Sequence, residues 1–321
     1  MNESFYFETS AVNALYHKFS SDDRFSSVET KKFQISKGRK WYISSAVLWE
    51  IFRTKDKNRR YYLFDFCRCL FYGHLITCPE ELIVNYIKSG CPVFEKPYNL
   101  DSSNKGLFAK EWQCACDDAR YYFEPDIDQL HSYSYAMQFL WKYLHKKQNG
   151  YELKGEKELL DHSYHLLGIR FESLLDKLVQ EFGGLTDMTD EKKQYVFIVF
   201  HVALVILCYG ITLNKEIIED YWNSKNISKP ISRMEWLVEN SIPIFFRGPL
   251  SNIAKMTVLQ SNSKYSRGLH IDSLHSVYFT CIDMYFTSDD HFIDFKNKIP
   301  DPNMLKIMNI ADVEFGVPLL T

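Results

Sequence analysis

Glycine and proline are scarce in this chain of 321 residues, which contains only 13 glycines and 10 prolines. A turn-rich protein of many short strands needs more of both, so the composition favours long helices. A large excess of positive charge is also missing, because 41 acidic residues outnumber 38 basic ones. A protein that binds nucleic acid through an overall basic surface is therefore excluded, and any such binding needs a local basic patch.

A secretory signal is not apparent, because the first residues, MNESFYFETS, have neither a basic start nor an apolar run. We therefore expect a cytoplasmic protein whose eight cysteines are mostly reduced and buried. Two close pairs, Cys67 with Cys69 and Cys114 with Cys116, could together bind zinc. This spacing is weaker evidence for zinc than two C-x-x-C pairs would be.

One long uncharged run, residues 195–213, barely reaches the length of a membrane-spanning helix. It contains a histidine and a glycine, and its flanking residues do not mark a membrane interface. An apolar helix at the centre of a helical bundle explains the run equally well. We favour that interpretation and expect no membrane partner.

Short apolar strands alternate with helices near both ends of the chain. Residues 4–8 and 40–44 are typical of strands, and a helical segment follows each. Residues 284–287 predict a further strand, between a helix at 272–281 and a short acidic helix. This alternation predicts an α/β fold with a parallel sheet covered by helices.

The middle of the chain is helical in character. Apolar residues recur at intervals of three and four over residues 130–144 and again over 160–178, which is the spacing of one helix face. We therefore predict a core in two parts, residues 1–84 and 241–321, interrupted by a large, mostly α-helical insertion at residues 85–240.

Four acidic residues lie at or shortly after the carboxyl ends of the predicted strands, or at the start of a neighbouring helix: Glu8, Glu50, Asp272 and Asp289. Functional groups of an open parallel sheet gather at this edge. Clustered carboxylates repel one another unless cations join them, and oxygen ligands suit Mg²⁺ or Mn²⁺. A single acid is more typical of a solvated surface, so the prediction depends on their shared location. A glycine-rich phosphate loop and a nucleophile with a histidine partner are both missing, which disfavours ATP chemistry and acyl transfer.

Four segments resemble the acidic motifs of the PIN domain nucleases, a family that includes the ribonuclease toxins of bacterial toxin–antitoxin pairs. The segments are YFETSAVNAL (6–15), ISSAVLWEIF (43–52), GLHIDSLHSVYF (268–279) and MYFTSDDHF (284–292), in the order of the family. The resemblance implies a PIN-like parallel sheet sandwiched by helices. The long insertion is absent from the compact toxins and fits larger PIN-like proteins.

The resemblance implies a metal-dependent endonuclease that hydrolyses phosphodiester bonds, most directly in RNA. The residues carried over as metal ligands and catalytic acids are Glu8, Glu50, Asp272 and Asp289, with Asp290 as an alternative to Asp289. Ser10 and Thr287 match the hydroxyl positions beside the first and last acids. Glu8 replaces the usual aspartate, and its extra methylene shifts the carboxylate. On this reading Asp272 and Glu8 hold the principal Mg²⁺ or Mn²⁺.

A polyanionic substrate needs cations, and five of them lie in RTKDKNRRYY, residues 53–62, directly after Glu50. Such a segment can follow a phosphate backbone while its tyrosines stack on bases, although most charge runs are simply solvated. The candidate nucleic-acid contacts are Arg53, Lys55, Lys57, Arg59 and Arg60, joined by Arg247 and Arg267 in glycine-associated turns. His275, near Asp272, either reaches the cleft or, more commonly, fills the core.

Two other functions stay open. One is a catalytically weak PIN-like scaffold that binds RNA or a protein partner. The other is a nuclease that acts on single-stranded or flap DNA. The insertion is the candidate surface for a protein partner or for a homodimer.

Overall fold

The structure is a computed structural model that describes residues 3–20, 39–71, 74–89, 137, 198–245, 248–261, 269–298, 302 and 304–313. These residues fall into two compact units. Unit 1 contains the described residues within 3–79 and 278–313, and unit 2 those within 80–277. The helices predicted from apolar spacing at 130–144 and 160–178 lie outside the described residues, except for the buried Met137.

The α-helices of the described ranges are numbered in chain order. They are α1 (Thr9–Ser20), α2 (Ser45–Phe52), α3 (Lys57–Phe71), α4 (Pro79–Ser89), α5 (Lys215–Ser224), α6 (Pro230–Phe245), α7 (Pro249–Ser261), α8 (Leu269–His275) and α9 (Asp290–Lys298). A π-helix spans Leu204–Cys208, and 3₁₀ segments span Ser276–Thr280, Met304–Lys306 and Ile310–Asp312.

A four-stranded parallel sheet forms the centre of unit 1 and confirms the predicted α/β class. Strand β1 (Glu3–Phe7) pairs with β2 (Arg39–Tyr42) on one side and with β3 (Met284–Thr287) on the other, and β3 pairs with β4 (Ile307–Asn309). The order is β2-β1-β3-β4. Because β2 and β4 lie on opposite sides of the β1–β3 pair, the order of the strands reverses there. Ligands of open α/β sheets bind at the carboxyl edge of such a switch point.

Aromatic side chains bury both faces of β1, as expected for a parallel sheet covered by helices. On one face, Phe7 packs between Trp41 and Phe286, with ring centroids 4.5 Å and 4.8 Å away. On the opposite face, Tyr6 packs against Tyr278 at 4.5 Å. Consecutive residues of the strand thus point to opposite faces, and Phe7 contacts its neighbour Phe286 at the carboxyl ends of β1 and β3.

Several element bounds differ from the sequence expectation. Strand β1 ends at Phe7, so Glu8 lies just beyond it. The helix expected at 272–281 is α8, which is followed by the 3₁₀ segment Ser276–Thr280. Strand β4 has only three residues, too few to show an alternating pattern in the sequence.

In unit 2, residues 198–208 of the long apolar run form buried helix. Residues 198–203 are α-helical, the π-helix follows, and every residue from 198 to 208 is buried. The last two carbonyls of the π-helix accept hydrogen bonds from side chains: Trp222 Nε1 donates to Leu207 at 2.6 Å, and Arg233 Nη1 donates to Cys208 at 3.0 Å. Among the residues that the structure describes, no helix combines the length and the apolar character needed to cross a bilayer.

Candidate active site at the carboxyl ends of β1 and β3

Glu8 is the N-cap of α1. Its carbonyl accepts the first helical hydrogen bond from Val12 at 3.0 Å. Its carboxylate accepts hydrogen bonds from the backbone N–H groups of Ser10 at 2.8 Å and Ala11 at 3.1 Å, and from the Ser10 hydroxyl. The side chain is 3% exposed. These hydrogen bonds replace the water that the carboxylate loses on burial. The negative charge also interacts favourably with the positive end of the helix dipole.

Asp289 has the same role one strand away. Its carbonyl accepts from Phe292 at 3.2 Å, and its Oδ1 accepts from the backbone N–H of His291 at 2.8 Å, in the first turn of α9. Asp289 is partly buried, whereas the neighbouring Asp290 is exposed. Two acids predicted as site residues therefore cap the helices that follow two adjacent parallel strands.

The hydroxyls of Ser10 and Thr287 join these two helix starts. Ser10 Oγ lies 3.3 Å from Thr287 Oγ1 and accepts from the backbone N–H of Ser288 at 2.8 Å. Thr287 Oγ1 in turn accepts from the backbone N–H of Asp289 at 2.9 Å. A continuous hydrogen-bonded path therefore runs from the Glu8 carboxylate to the backbone of Asp289. We call it the Glu8–Asp289 network.

Glu50 reaches the same region from α2. Its Oε2 accepts a hydrogen bond from the hydroxyl of Thr9, the first residue of α1. Glu50 and Thr9 are both partly exposed. The structure thus links Glu50 to the residue that directly follows Glu8 in the chain, although Glu50 belongs to another helix.

A buried phenol lies beside both glutamates. Tyr6, the next-to-last residue of β1, shares a hydrogen bond of 2.7 Å with the Ser44 hydroxyl just before α2. Burial raises the pKa of Tyr6 well above its ordinary value, and the negative charges of Glu8 and Glu50 raise it further. Both carboxylates therefore disfavour ionisation of the Tyr6 phenol, which stays a neutral hydroxyl at physiological pH.

Mg²⁺ in proteins is commonly held by one or two carboxylates, with water and substrate phosphates as the remaining ligands. Glu8 and Glu50 offer this donor set, with hydroxyls nearby. Among the described residues, no group of three or more His, Cys, Asp and Glu side chains is placed to hold a metal ion. With these two carboxylates, an ion would take its remaining ligands from water and substrate.

The third predicted acid belongs to unit 2. Asp272 is in the first turn of α8 and is partly exposed. Its role as a metal ligand stays a prediction. His275, at the end of the same helix, is completely buried, which matches the core position weighed for it from the sequence.

The predicted basic segment divides into two groups. Arg53, Lys55, Lys57 and Arg59 are exposed. Arg60 is buried at 8% exposure, and its Nη1 donates to the carbonyl of Thr54 at 2.9 Å. Its guanidinium therefore holds the turn between α2 and α3, and we leave it out of the nucleic-acid surface.

Other candidates lie outside the described residues. They are Arg247, Arg267, Cys114 and Cys116. The side chain of Cys69 is outside them as well, while Cys67 is buried and forms no disulfide. The zinc interpretation therefore stays a prediction.

Sequence reasoning missed Thr9, Ser44 and Tyr6 as parts of this region. Thr9 and Ser44 carried a usable signal, because hydroxyl residues directly after a strand and before an apolar helix are typical of helix starts. Tyr6 carried none, since a tyrosine in an aromatic strand is ordinary core.

Comparison of the chain with protein-family models, with curated proteins and with solved structures finds no match.

Proposed function

We propose that this protein is a Mg²⁺- or Mn²⁺-dependent endonuclease that hydrolyses phosphodiester bonds. The observation that supports the proposal best is the Glu8–Asp289 network, which lies at the carboxyl edge of the sheet where the strand order reverses. RNA is the first substrate to consider, because the family that the four motifs resemble includes ribonucleases.

The predicted acids have defined roles in this proposal. Glu8, Glu50 and Asp289, all in unit 1, would hold the ion directly or through water, and Asp272 stays a predicted further ligand. A divalent ion in such a site lowers the pKa of bound water and neutralises charge on the leaving oxygen.

The neighbouring hydroxyls position the two glutamates. Ser10 fixes the Glu8 carboxylate through both its backbone N–H and its hydroxyl. Thr9 fixes Glu50 from the other side. Because such placement is made before substrate binds, it does not have to be formed at the cost of binding energy.

One observation favours a second function, a scaffold that binds RNA or a protein without efficient catalysis. The carboxylates of Glu8 and Asp289 are both engaged as helix caps. Acids in these positions stabilise the fold whether or not a metal binds. A scaffold function therefore explains why acids occupy both capping positions, without any catalytic role for them.

Cleavage of labelled nucleic acids separates the two functions. The protein is incubated with single-stranded RNA, structured RNA and single-stranded DNA, in Mn²⁺, Mg²⁺ or EDTA, beside the Asp272→Asn variant. We expect cutting that needs the metal and that the variant lacks, and the preferred strand distinguishes an RNA nuclease from a DNA nuclease.

Two results count against the nuclease. Cutting that persists in EDTA or in Asp272→Asn contradicts the proposed site. Binding without any cutting by the natural protein, in either metal, favours the scaffold.

A further inference from the structure

The first turns of α3 and the loop before it present an exposed basic and aromatic surface in unit 1. We call it the α3 platform and define it by its exposed side chains Arg53, Lys55, Lys57, Arg59, Tyr61 and Tyr62. Residues 53–62 contain five basic residues and one acid, whereas the chain as a whole has a net charge of −3. A local excess of this kind attracts a polyanion to this surface.

Buried and capping contacts hold the backbone beneath the platform. Asp56 Oδ1 accepts from the N–H groups of Asn58 at 2.9 Å and Arg59 at 3.0 Å, so the single acid of the segment caps α3. Arg60 anchors the other side of the turn through Thr54. The cations around this turn therefore project from a backbone that is already ordered.

The two tyrosines are unusual in their exposure. Tyr61 is 39% exposed and Tyr62 is 55% exposed. Among the described residues, the only other exposed large hydrophobic side chains are Tyr209 and Leu305. The rings of Tyr61 and Tyr62 lie 5.4 Å apart at an angle of 71°. These two exposed rings, in a segment rich in cations, leave apolar surface available to a partner with flat rings.

We propose that the α3 platform binds unpaired nucleotides, with its cations on the phosphates and with Tyr61 and Tyr62 stacked on the bases. The inference rests on the proposed function, which makes nucleic acid the substrate, and it names the class of that substrate as single-stranded. In a duplex the base faces are already stacked on each other, so they are hidden from a tyrosine ring. An acidic peptide satisfies the cations but offers no row of flat rings to the tyrosines.

Binding in EDTA tests the platform without any cleavage. The fluorescence anisotropy of a labelled oligouridine is measured beside a duplex RNA and an abasic strand, all with the same number of phosphates. We expect the oligouridine to bind more tightly than both other probes. The Tyr61→Ala/Tyr62→Ala double variant should bind it about tenfold more weakly or worse, and should no longer distinguish it from the abasic strand.

Matched variants separate stacking from folding and from charge. Tyr61→Phe/Tyr62→Phe keeps both rings and should bind like the natural protein, and Leu305→Ala removes an exposed apolar side chain elsewhere in unit 1 without effect. Lys57→Ala and Arg59→Ala should each lower the dependence of log Kd on log salt concentration by about 0.7 per lost phosphate contact. Lys229→Ala removes an exposed charge from unit 2 and should leave that dependence unchanged.

Specific results overturn the proposal. They are equal affinity for the oligouridine and the abasic strand, tighter binding of the duplex, full binding by the double alanine variant, or preference for polyglutamate over oligouridine. Binding that depends on the tyrosines, with no cleavage in Mg²⁺ or Mn²⁺, contradicts the nuclease but keeps the platform. Metal-dependent cleavage, with binding that is unchanged when both tyrosines are replaced, supports the nuclease but contradicts the platform.

Discussion

At position 8 a glutamate caps a helix, where aspartate, asparagine and serine are the usual residues. The longer side chain still reaches the N–H groups of Ser10 and Ala11, and it also accepts from the Ser10 hydroxyl. Glu8 thus has a structural role that a motif comparison does not reveal. Its role in the fold can be measured separately from its role in catalysis.

We predict that Glu8→Ala lowers the free energy of unfolding by about 1–3 kcal/mol, because it leaves buried N–H groups of α1 without their acceptor. Glu8→Asp should stay within about 1 kcal/mol of the natural protein, because aspartate is itself a preferred cap. Urea unfolding followed by circular dichroism measures both values. Glu235→Ala, which removes an exposed acid in α6, is the control. Equal stability of Glu8→Ala and the control would contradict the capping role.

Positions of the site acids were partly accessible from the sequence. Each of Glu8 and Asp289 was placed at a strand end because it lies where a short apolar strand gives way to a helix, and both lie just beyond their strands. The hydrogen bonds that join Ser10 to Thr287 and Ser288 were not accessible, because they depend on the register that brings Phe7 beside Phe286. That pairing joins residues from opposite ends of the chain.

At the scale of elements, α3 shows that the charged residues of one segment have to be assigned to the inner or the outer face of the helix before a function is inferred. Arg60 shares a buried stripe with Leu63, Phe64 and Cys67, at intervals of three, four and seven residues. This spacing is present in the sequence and would have placed Arg60 on the inner face. Its neighbour Arg59 points outward from the same turn.

We predict opposite effects for these neighbouring arginines. Arg60→Ala should lower the free energy of unfolding by about 1–3 kcal/mol, because it removes a buried side chain and its hydrogen bonds to main-chain carbonyls. Arg59→Ala should change stability by less than about 0.5 kcal/mol. Urea unfolding of both variants checks the stabilities. A stable Arg60→Ala protein would refute the anchoring role.

The buried apolar helix of unit 2 contains a titratable group, His201. Burial lowers the pKa of His201 from 6.5 to about 4. The unfolded chain therefore takes up a proton at a higher pH than the folded protein does. The free energy of unfolding therefore decreases as the pH falls from 6.5 towards 4. Above pH 6.5, His201 is neutral in both states and makes no pH-dependent contribution to stability.

We predict that His201→Leu removes this part of the acid sensitivity. Its stability relative to the natural protein should rise as the pH falls below 6.5, by up to about 3 kcal/mol near pH 4. Urea midpoints at a series of pH values measure the difference. His17→Leu alters an exposed histidine and is the control. A pH-independent difference between His201→Leu and the natural protein would show that His201 is not the source.

For the whole molecule, the parallel sheet was predictable because short apolar strands alternate with helices at both ends of the chain. The strand order was not, since the sequence does not state which strands become neighbours. The order β2-β1-β3-β4 is what gives the first and fourth motifs a shared edge, at Glu8 and Asp289. The functional proposal therefore depends on chemistry at that edge.

The most direct test of this proposal is metal-dependent RNA cleavage by Asp289→Asn, beside Asp290→Asn as the matched control. Asparagine caps helices as well as aspartate does, so Asp289→Asn should keep the fold of α9 while it removes one charge from the site. We predict that Asp289→Asn loses cleavage in Mg²⁺ and Mn²⁺ at an unchanged unfolding midpoint, and that Asp290→Asn cuts like the natural protein. Full cleavage by Asp289→Asn, or cleavage by the natural protein in EDTA, would contradict a metal-dependent nuclease at this site.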